Sequence, residues 1–337
     1  MSKKILITLL VIIALVMVLG IFWWQQSIEK KTKSETKVYH VGLLQMAPTV
    51  AENMEGFKLG MEELGYKEGV NIEYTYRDAD GDLTKLDEYA KELVDLKPDL
   101  IFVNTSPATA AIKKATEGTD IPVVFSMVAD PFRAGFIKTI ESSGNNLTGT
   151  GCAYIAIAPK RLEILKEIDS DAKKVLIFYR PQDLSGGPAT ESILEKAPEI
   201  GIKVISIPIE KKEDIRDYLA KLKPGEIDAI MDPADSMVTA GLTEWGISKA
   251  NELKVPLMML SKGECEKGAL VCFGVDYIDL GRQSSLMANQ ILMGIKPTNI
   301  PTETPRKFLF VINLKTASAI GLEIPEGVLH KADIIIK

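Results

Sequence analysis

Histidine is nearly absent from this chain. His40 and His330 are the only two among 337 residues, and neither stands in a polar cluster. Paired-histidine metal sites and histidine-based acid–base or nucleophilic catalysis therefore have nothing to be built from, and no activated serine elbow is present. Cysteine is almost as scarce. Cys152, Cys265 and Cys272 have no zinc spacing; Cys265 and Cys272 can close a small loop in an oxidising compartment, leaving Cys152 over, or all three can remain free thiols. An excess of positive charge is missing too. With a net charge of −6 and a pI near 5.3, and no basic stripe interleaved with aromatics, nucleic acid is excluded as the main partner. No G-x-G-x-x-G and no lysine-bearing phosphate loop occurs, so the glycine-rich stretch Asn145–Cys152 reads as a flexible crossover. The acidic run Arg77–Asp82 lacks the glutamate and flanking helices of a calcium loop, and reads as a solvated loop capping a helix over 83–96. No catalytic residue, metal or cofactor is expected.

What is present begins with 46% apolar and 26% charged residues, the balance of a folded chain long enough for one or two domain cores. From Ile5 to Trp24 run twenty residues whose only polar side chain is Thr8, enough helix to cross a hydrocarbon core of roughly 30 Å. Lys3 and Lys4 precede it. The segment is an export signal or a retained anchor; the poor cleavage site Val18-Leu19-Gly20 and the pair Trp23-Trp24 favour the anchor. No cysteine follows the run, which argues against a lipoprotein anchor. Lys30, Lys31 and Lys33 after the run oppose outward placement of the rest, but large domains cross a membrane largely regardless of local charge. Residues 1–24 are thus a signal or anchor, and the charged residues 25–37 a tether.

The rest of the chain is organised around Asp99–Thr116. Leu100–Val103 is a short apolar run suited to a strand covered on both faces; after it come Asn104, Thr105 and Ser106, then Pro107 at the first turn of a helix. Ser106 is the expected N-cap. A helix N-terminus at the carboxyl end of a parallel strand presents free N–H groups to a carboxylate or phosphate, although Ser106 can equally serve only its own helix. The pattern recurs. Leu96-Lys97-Pro98, strand, polar turn, helix and Ile121–Ser126 are matched by Leu222-Lys223-Pro224, the strand over 227–231, the turn Asp232–Ser236, a helix and Val255–Ser261. The units before them match as well, so two half-chains read as the same βαβαβ order, with strand ends facing one cleft. One wall of that cleft offers Gln45, Ser106 and Thr109; the other offers Asp235 and Ser236, and Asp276 stands at a later crossover. Tyr179 and Phe273 supply candidate apolar walls. Hydroxyls and a helix end facing carboxylates suit an amino-acid-like zwitterion, with its ammonium group near Asp235 or Asp276. Each residue also has a structural reading, as a cap, a turn residue or packing.

The stretches Glu55-Gly-Phe-Lys-Leu-Gly-Met-Glu-Glu-Leu-Gly-Tyr-Lys-Glu-Gly69, Ile121–Phe125 with Asp130-Pro131, Gly274–Arg282, Ile300–Pro305 and Asn313-Leu-Lys315 with Ile320–Pro325 resemble the ABC-transporter substrate-binding family that includes tryptophan- and tyrosine-binding proteins. The resemblance runs over about residues 38–336. It implies a type I periplasmic binding fold: two doubly wound α/β lobes, a three-segment hinge, and a ligand enclosed by hinge closure. Lobe 1 is then 38–152 with 277–306, and lobe 2 is 153–276 with 307–337. It also implies an extracytoplasmic solute-binding component of an ABC importer, partnered by permease and ATPase subunits and attached to the membrane through residues 5–24, or secreted. The alternative is a membrane-anchored sensor that passes cleft closure to another protein. Where the family often carries Ser-Asp after the Thr-Gly of the first crossover, Gly151-Cys152-Ala153 stands here, without that carboxylate.

Overall fold

The computed structural model describes residues 37–337 together with Met17–Gly20 and Trp23. The expected membrane segment, apart from those few residues, and nearly all of the tether lie outside the described residues. Among the described residues no helix is long and apolar enough to cross a membrane.

Two sheets form the frame. In the first, β1 (Tyr39–Gln45), β2 (Ile72–Asp78), β3 (Leu100–Asn104), β4 (Val123–Val128) and β5 (Leu147–Gly151) lie in the order β2-β1-β3-β4-β5, all parallel. β3, β4 and β5 are buried along their whole length, which is why apolar runs mark β3 and β4. The second sheet contains β6 (Lys174–Tyr179), β7 (Lys203–Pro208), β8 (Ala229–Met231), β9 (Leu257–Met259), β10 (Val271–Val275), β11 (Phe308–Asn313) and β12 (Ile334–Ile336). Its order is β12-β11-β10-β9-β8-β6-β7, with β11 antiparallel to β10. Set β6 to β10 against β1 to β5 and the two sheets share one strand order, so the internal repeat in the sequence is a repeat of the fold. In each sheet the order reverses between its first and third strands, and ligands of open α/β sheets lie at the carboxyl ends of strands at such a point.

Apolar clusters cover both faces of each sheet, and a fifth cluster lies between the sheets, joining Val50 and Met127 to Tyr154, Leu260 and Tyr277. The helix Tyr277–Leu292 follows β10 in the chain but packs on the helix Ala51–Glu63, placing Met287, Ala288 and Ile291 in the core with Val41 and Phe57. Glycine permits this. A Cβ at Gly281 would sit 2.6 Å from the Phe57 backbone nitrogen, and nearer still to the Asn53 carbonyl.

Two local expectations need correction. Asn145–Cys152 is not a flexible crossover: it contains the buried strand β5, and its glycines serve packing, since a Cβ at Gly149 would lie 2.7 Å from the Phe125 ring. The helix Tyr154–Ile168 follows it, with Ala153 in the left-handed conformation at its N-cap. Ser106 is the first residue of its helix and Thr105 is the N-cap.

Cys265 and Cys272 form a disulfide, their Cα atoms 6.0 Å apart, while Cys152 is free and buried. A C265A/C272A variant should lose about 2 kcal/mol of stability, because closing even a short loop restricts the unfolded chain. Urea unfolding of the oxidised parent and the variant checks this; equal midpoints would show that the bond constrains nothing.

Candidate functional site

The carboxyl ends of the central strands of both sheets meet around one cavity of about 50 Å³, well below the roughly 300–1,000 Å³ usual for small-molecule sites, so its walls must part to admit a ligand the size of an amino acid. Thr49 and Val50 reach it after β1, Thr105, Ser106 and Pro107 after β3, and Met127 from β4. Asp183 and Ser185 arrive after β6, Ala234, Ser236 and Thr239 after β8, and Leu260 after β9. Tyr154 and Tyr277, each opening a helix, complete it and touch through their hydroxyls at 3.3 Å. Both topological switch points therefore face the same space. A larger and more open surface groove, of about 1,120 Å³, runs past Lys113, Lys114, Asp120 and Lys296; the strand ends do not converge there.

The wall after β3 is the start of a helix. The helix Ser106–Ala115 opens on the cavity without a side-chain cap, so its first N–H groups and its positive end are free for a ligand. Thr105 holds φ 73° and ψ 155°, a region essentially reserved for glycine that costs of order 1–3 kcal/mol. Its hydroxyl oxygen is buried and has no partner. The Ser106 hydroxyl accepts from the Ala129 N–H at 3.3 Å, which leaves its own proton free to donate. Strain gathers here. Of the seven non-glycine residues with positive φ among the described residues, Thr105, Met127 and Ala234 line the cavity and Ala153 precedes Tyr154, as expected where geometry is held for function.

The facing wall carries negative charge. Arg180 grips Asp235, its Nε donating to Oδ2 at 2.9 Å and its Nη2 to Oδ1 at 2.7 Å; Nη2 also donates to Asp183 Oδ2 at 2.8 Å. Asp183 Oδ1 accepts from the Ser185 and Gly186 N–H groups at 2.9 and 2.7 Å. Burial, followed by the charge of Asp235, pushes the Asp183 carboxyl up. Behind this wall the fully buried Arg161 ties the ends of β8 and β9 by donating to the Asp232 and Met259 carbonyls at 2.6 and 3.0 Å. Burial also pushes the Asp232 carboxyl up to about 7.

Of the residues picked from the sequence, Ser106 and Ser236 line the cavity. Asp235 stands one layer behind, spent on Arg180 and on capping the Met237 and Val238 N–H groups. Gly186 allows it to sit so close: a Cβ there would lie 2.5 Å from the Asp235 Cβ. The other five do not line this space. Thr109 turns its hydroxyl back to the Thr105 carbonyl at 2.7 Å. Gln45 donates to Asp78 at 2.8 Å, and its buried Oε1 is unpartnered. Tyr179 is half-buried at the end of β6. Asp276 caps its own helix by accepting from the Asp279 N–H at 3.1 Å. Phe273 packs on Phe308 and Phe310. Sequence reasoning missed Thr105, Asp183 and Ser185. Asp183 was within reach, since Asp183-Leu-Ser-Gly-Gly187 is the polar turn after β6, equivalent in the repeat to the turn after β1.

This arrangement has relatives. The chain is 30% identical over 297 residues to a tyrosine-binding protein of Clostridioides difficile, covering 87% of this chain and 84% of that one. A structure of an ABC domain in complex with L-Trp from Streptococcus pneumonia superposes with a TM-score of 0.81 at 26% identity, over 89% of this chain and all of that one. The ligand-free, open structure of a substrate-binding protein with adhesive properties from Clostridium difficile gives 0.65 at 28% identity, over 89% and 99%. The family described as ABC transporter substrate binding protein matches residues 41–336, which takes in every strand end around the cavity, and the chain belongs to that family.

Proposed function

We propose that the chain is the extracytoplasmic solute-binding component of an ABC importer, and that it captures an aromatic amino acid between two lobes that close on it. The observation that carries this is the cavity itself. An uncapped helix end with the unpartnered Thr105 hydroxyl faces a wall of excess negative charge, and Val50, Met127, Tyr154, Leu260 and Tyr277 lie between them. That is the complement of a zwitterion with an apolar or aromatic side chain, because a cleft that excludes water must satisfy both charged groups of its ligand. A relative that binds tyrosine and a similar structure holding L-Trp support the ligand class. Proteins of this family bind solutes and carry out no covalent chemistry. At nearly equal identity the fit is better to the L-Trp complex than to the ligand-free, open structure, which supports a closed cleft here.

The lobes are 38–152 with 277–306 and 153–276 with 307–337, and the chain passes between the sheets at 152–153, 276–277 and 304–307. Permease and ATPase subunits are the partners, and residues 5–24 hold the protein at the membrane. A disulfide between Cys265 and Cys272 fits an oxidising compartment outside the cytoplasm. The membrane-anchored sensor reading finds no support among the relatives.

Removing the hydroxyl that awaits the ligand is the test. Thr105→Val keeps the shape and loses only the donor, and Ser106→Ala removes its neighbour. Each should weaken L-tryptophan or L-tyrosine binding by about 1–3 kcal/mol, the range for a hydrogen bond to a charged group. Thr105→Val should leave stability nearly unchanged, since its hydroxyl has no bond to lose. Calorimetric affinity and urea midpoints separate the two effects. Unchanged affinity in both variants would remove the carboxylate from this wall.

A further inference from the structure

We propose that Asp183 is the group that selects ligands bearing an ammonium group, with Arg180 and Asp235 as its positioning residues. This rests on the functional reading above and carries it from a cavity to an atom. Asp183 lines the cavity whereas Asp235 does not, and the Asp183 side chain is only 6% exposed.

Charge balance makes the case. Two carboxylates share one guanidinium in this cluster, so a unit of negative charge is left over. No lysine or arginine lines the cavity to neutralise it. Arg161, behind the same wall, is fully buried and points at the backbone carbonyls of Asp232 and Met259. It already has the buried carboxyl groups of Asp232 and Glu264 acting on it. A buried charge without a partner is costly, and an ammonium group of the ligand removes that cost.

Bond counting gives the position. A carboxylate has about four acceptor sites. On Asp183, Oδ1 takes the Ser185 and Gly186 N–H groups and Oδ2 takes Arg180. One site on Oδ2 remains. Ser185 and Ser236 stand at the same wall of the cavity, ready to accept the other ammonium protons. The upward push on the Asp183 carboxyl by burial and by Asp235 is what a charge still short of a counter-ion shows. Asp235 is in turn saturated by Arg180 and by two backbone N–H groups. It orients Arg180, and Arg180 orients Asp183.

The full chain and its Asp183→Asn variant are titrated with two probes: L-tryptophan, and indole-3-propionate, which keeps the ring and the carboxylate and lacks the amine. The variant should bind L-tryptophan at least about 30-fold more weakly, as expected when a charged hydrogen bond is lost in a closed site. It should bind indole-3-propionate as well as the parent or better. Equal losses for both probes would reduce Asp183 to a structural residue, and unchanged L-tryptophan binding would overturn the proposal outright. If the variant does not fold, the parent decides: it must prefer L-tryptophan to indole-3-propionate, and equal affinities would overturn the proposal. A parent that binds neither probe would overturn the functional reading itself, an outcome distinct from the other two.

Discussion

Asp235→Ala is expected to lower stability by about 3–5 kcal/mol, the range for removing one partner of a buried ion pair. The Asp235 side chain is fully buried and that of Arg180 is 8% exposed, so the guanidinium cannot recover its lost partner from water. The Met237 and Val238 N–H groups lose their acceptor at the same time. Asp183 remains, but its carboxylate reaches Arg180 by one bond only, against the two-pronged grip on Asp235. Urea unfolding followed by circular dichroism measures the loss. A change below about 1 kcal/mol would mean that the pair behaves as a solvated surface ion pair, and the view of Asp235 as a buried support would fall. The same contacts explain why Asp235, which read as a ligand carboxylate in the sequence, stands behind the wall rather than in it.

The second large effect is expected at the crossing of the helices Ala51–Glu63 and Tyr277–Leu292. Gly281→Ala places a methyl group against the Phe57 nitrogen and the Asn53 carbonyl, both backbone atoms held inside a helix. Neither can rotate away, so the helices must separate, at a cost near the upper end of the usual overpacking range, about 3 kcal/mol. This contact also binds a helix that follows the second sheet to the core of the first. A variant with the parent's stability would show that the helices can shift freely, contrary to the packing described.

The strands were legible because burial on both faces imposes long apolar runs: Leu100–Val103 announced β3, and its counterpart before Asp232 announced β8. The repeat was legible for the same reason, and it pointed to Ser106 and Ser236 at matching strand ends. β5 was hidden, because a strand containing Gly149 and Gly151 carries little apolar signal when its role is close backbone packing against Phe125. The site was read only in part. Residue types at a strand end show that polar groups gather there, but not which one turns into the cavity. Thr109 spends its hydroxyl on its own helix and Asp276 caps its own helix, while Thr105 is displayed by a backbone conformation that no sequence pattern marks. Asp183 and Asp235 lie 52 residues apart, and only their contacts with the shared Arg180 show that Asp235 is held by two bonds and Asp183 by one.

A crystal structure of the chain with L-tryptophan tests the central claim most directly. The account predicts one molecule in the cavity between the sheets, its carboxylate within hydrogen-bonding reach of Thr105 and Ser106 and its ring among Val50, Met127, Tyr154, Leu260 and Tyr277. Density for the amino acid in the open groove past Lys113 and Lys296, or a carboxylate turned toward Asp183, would contradict it.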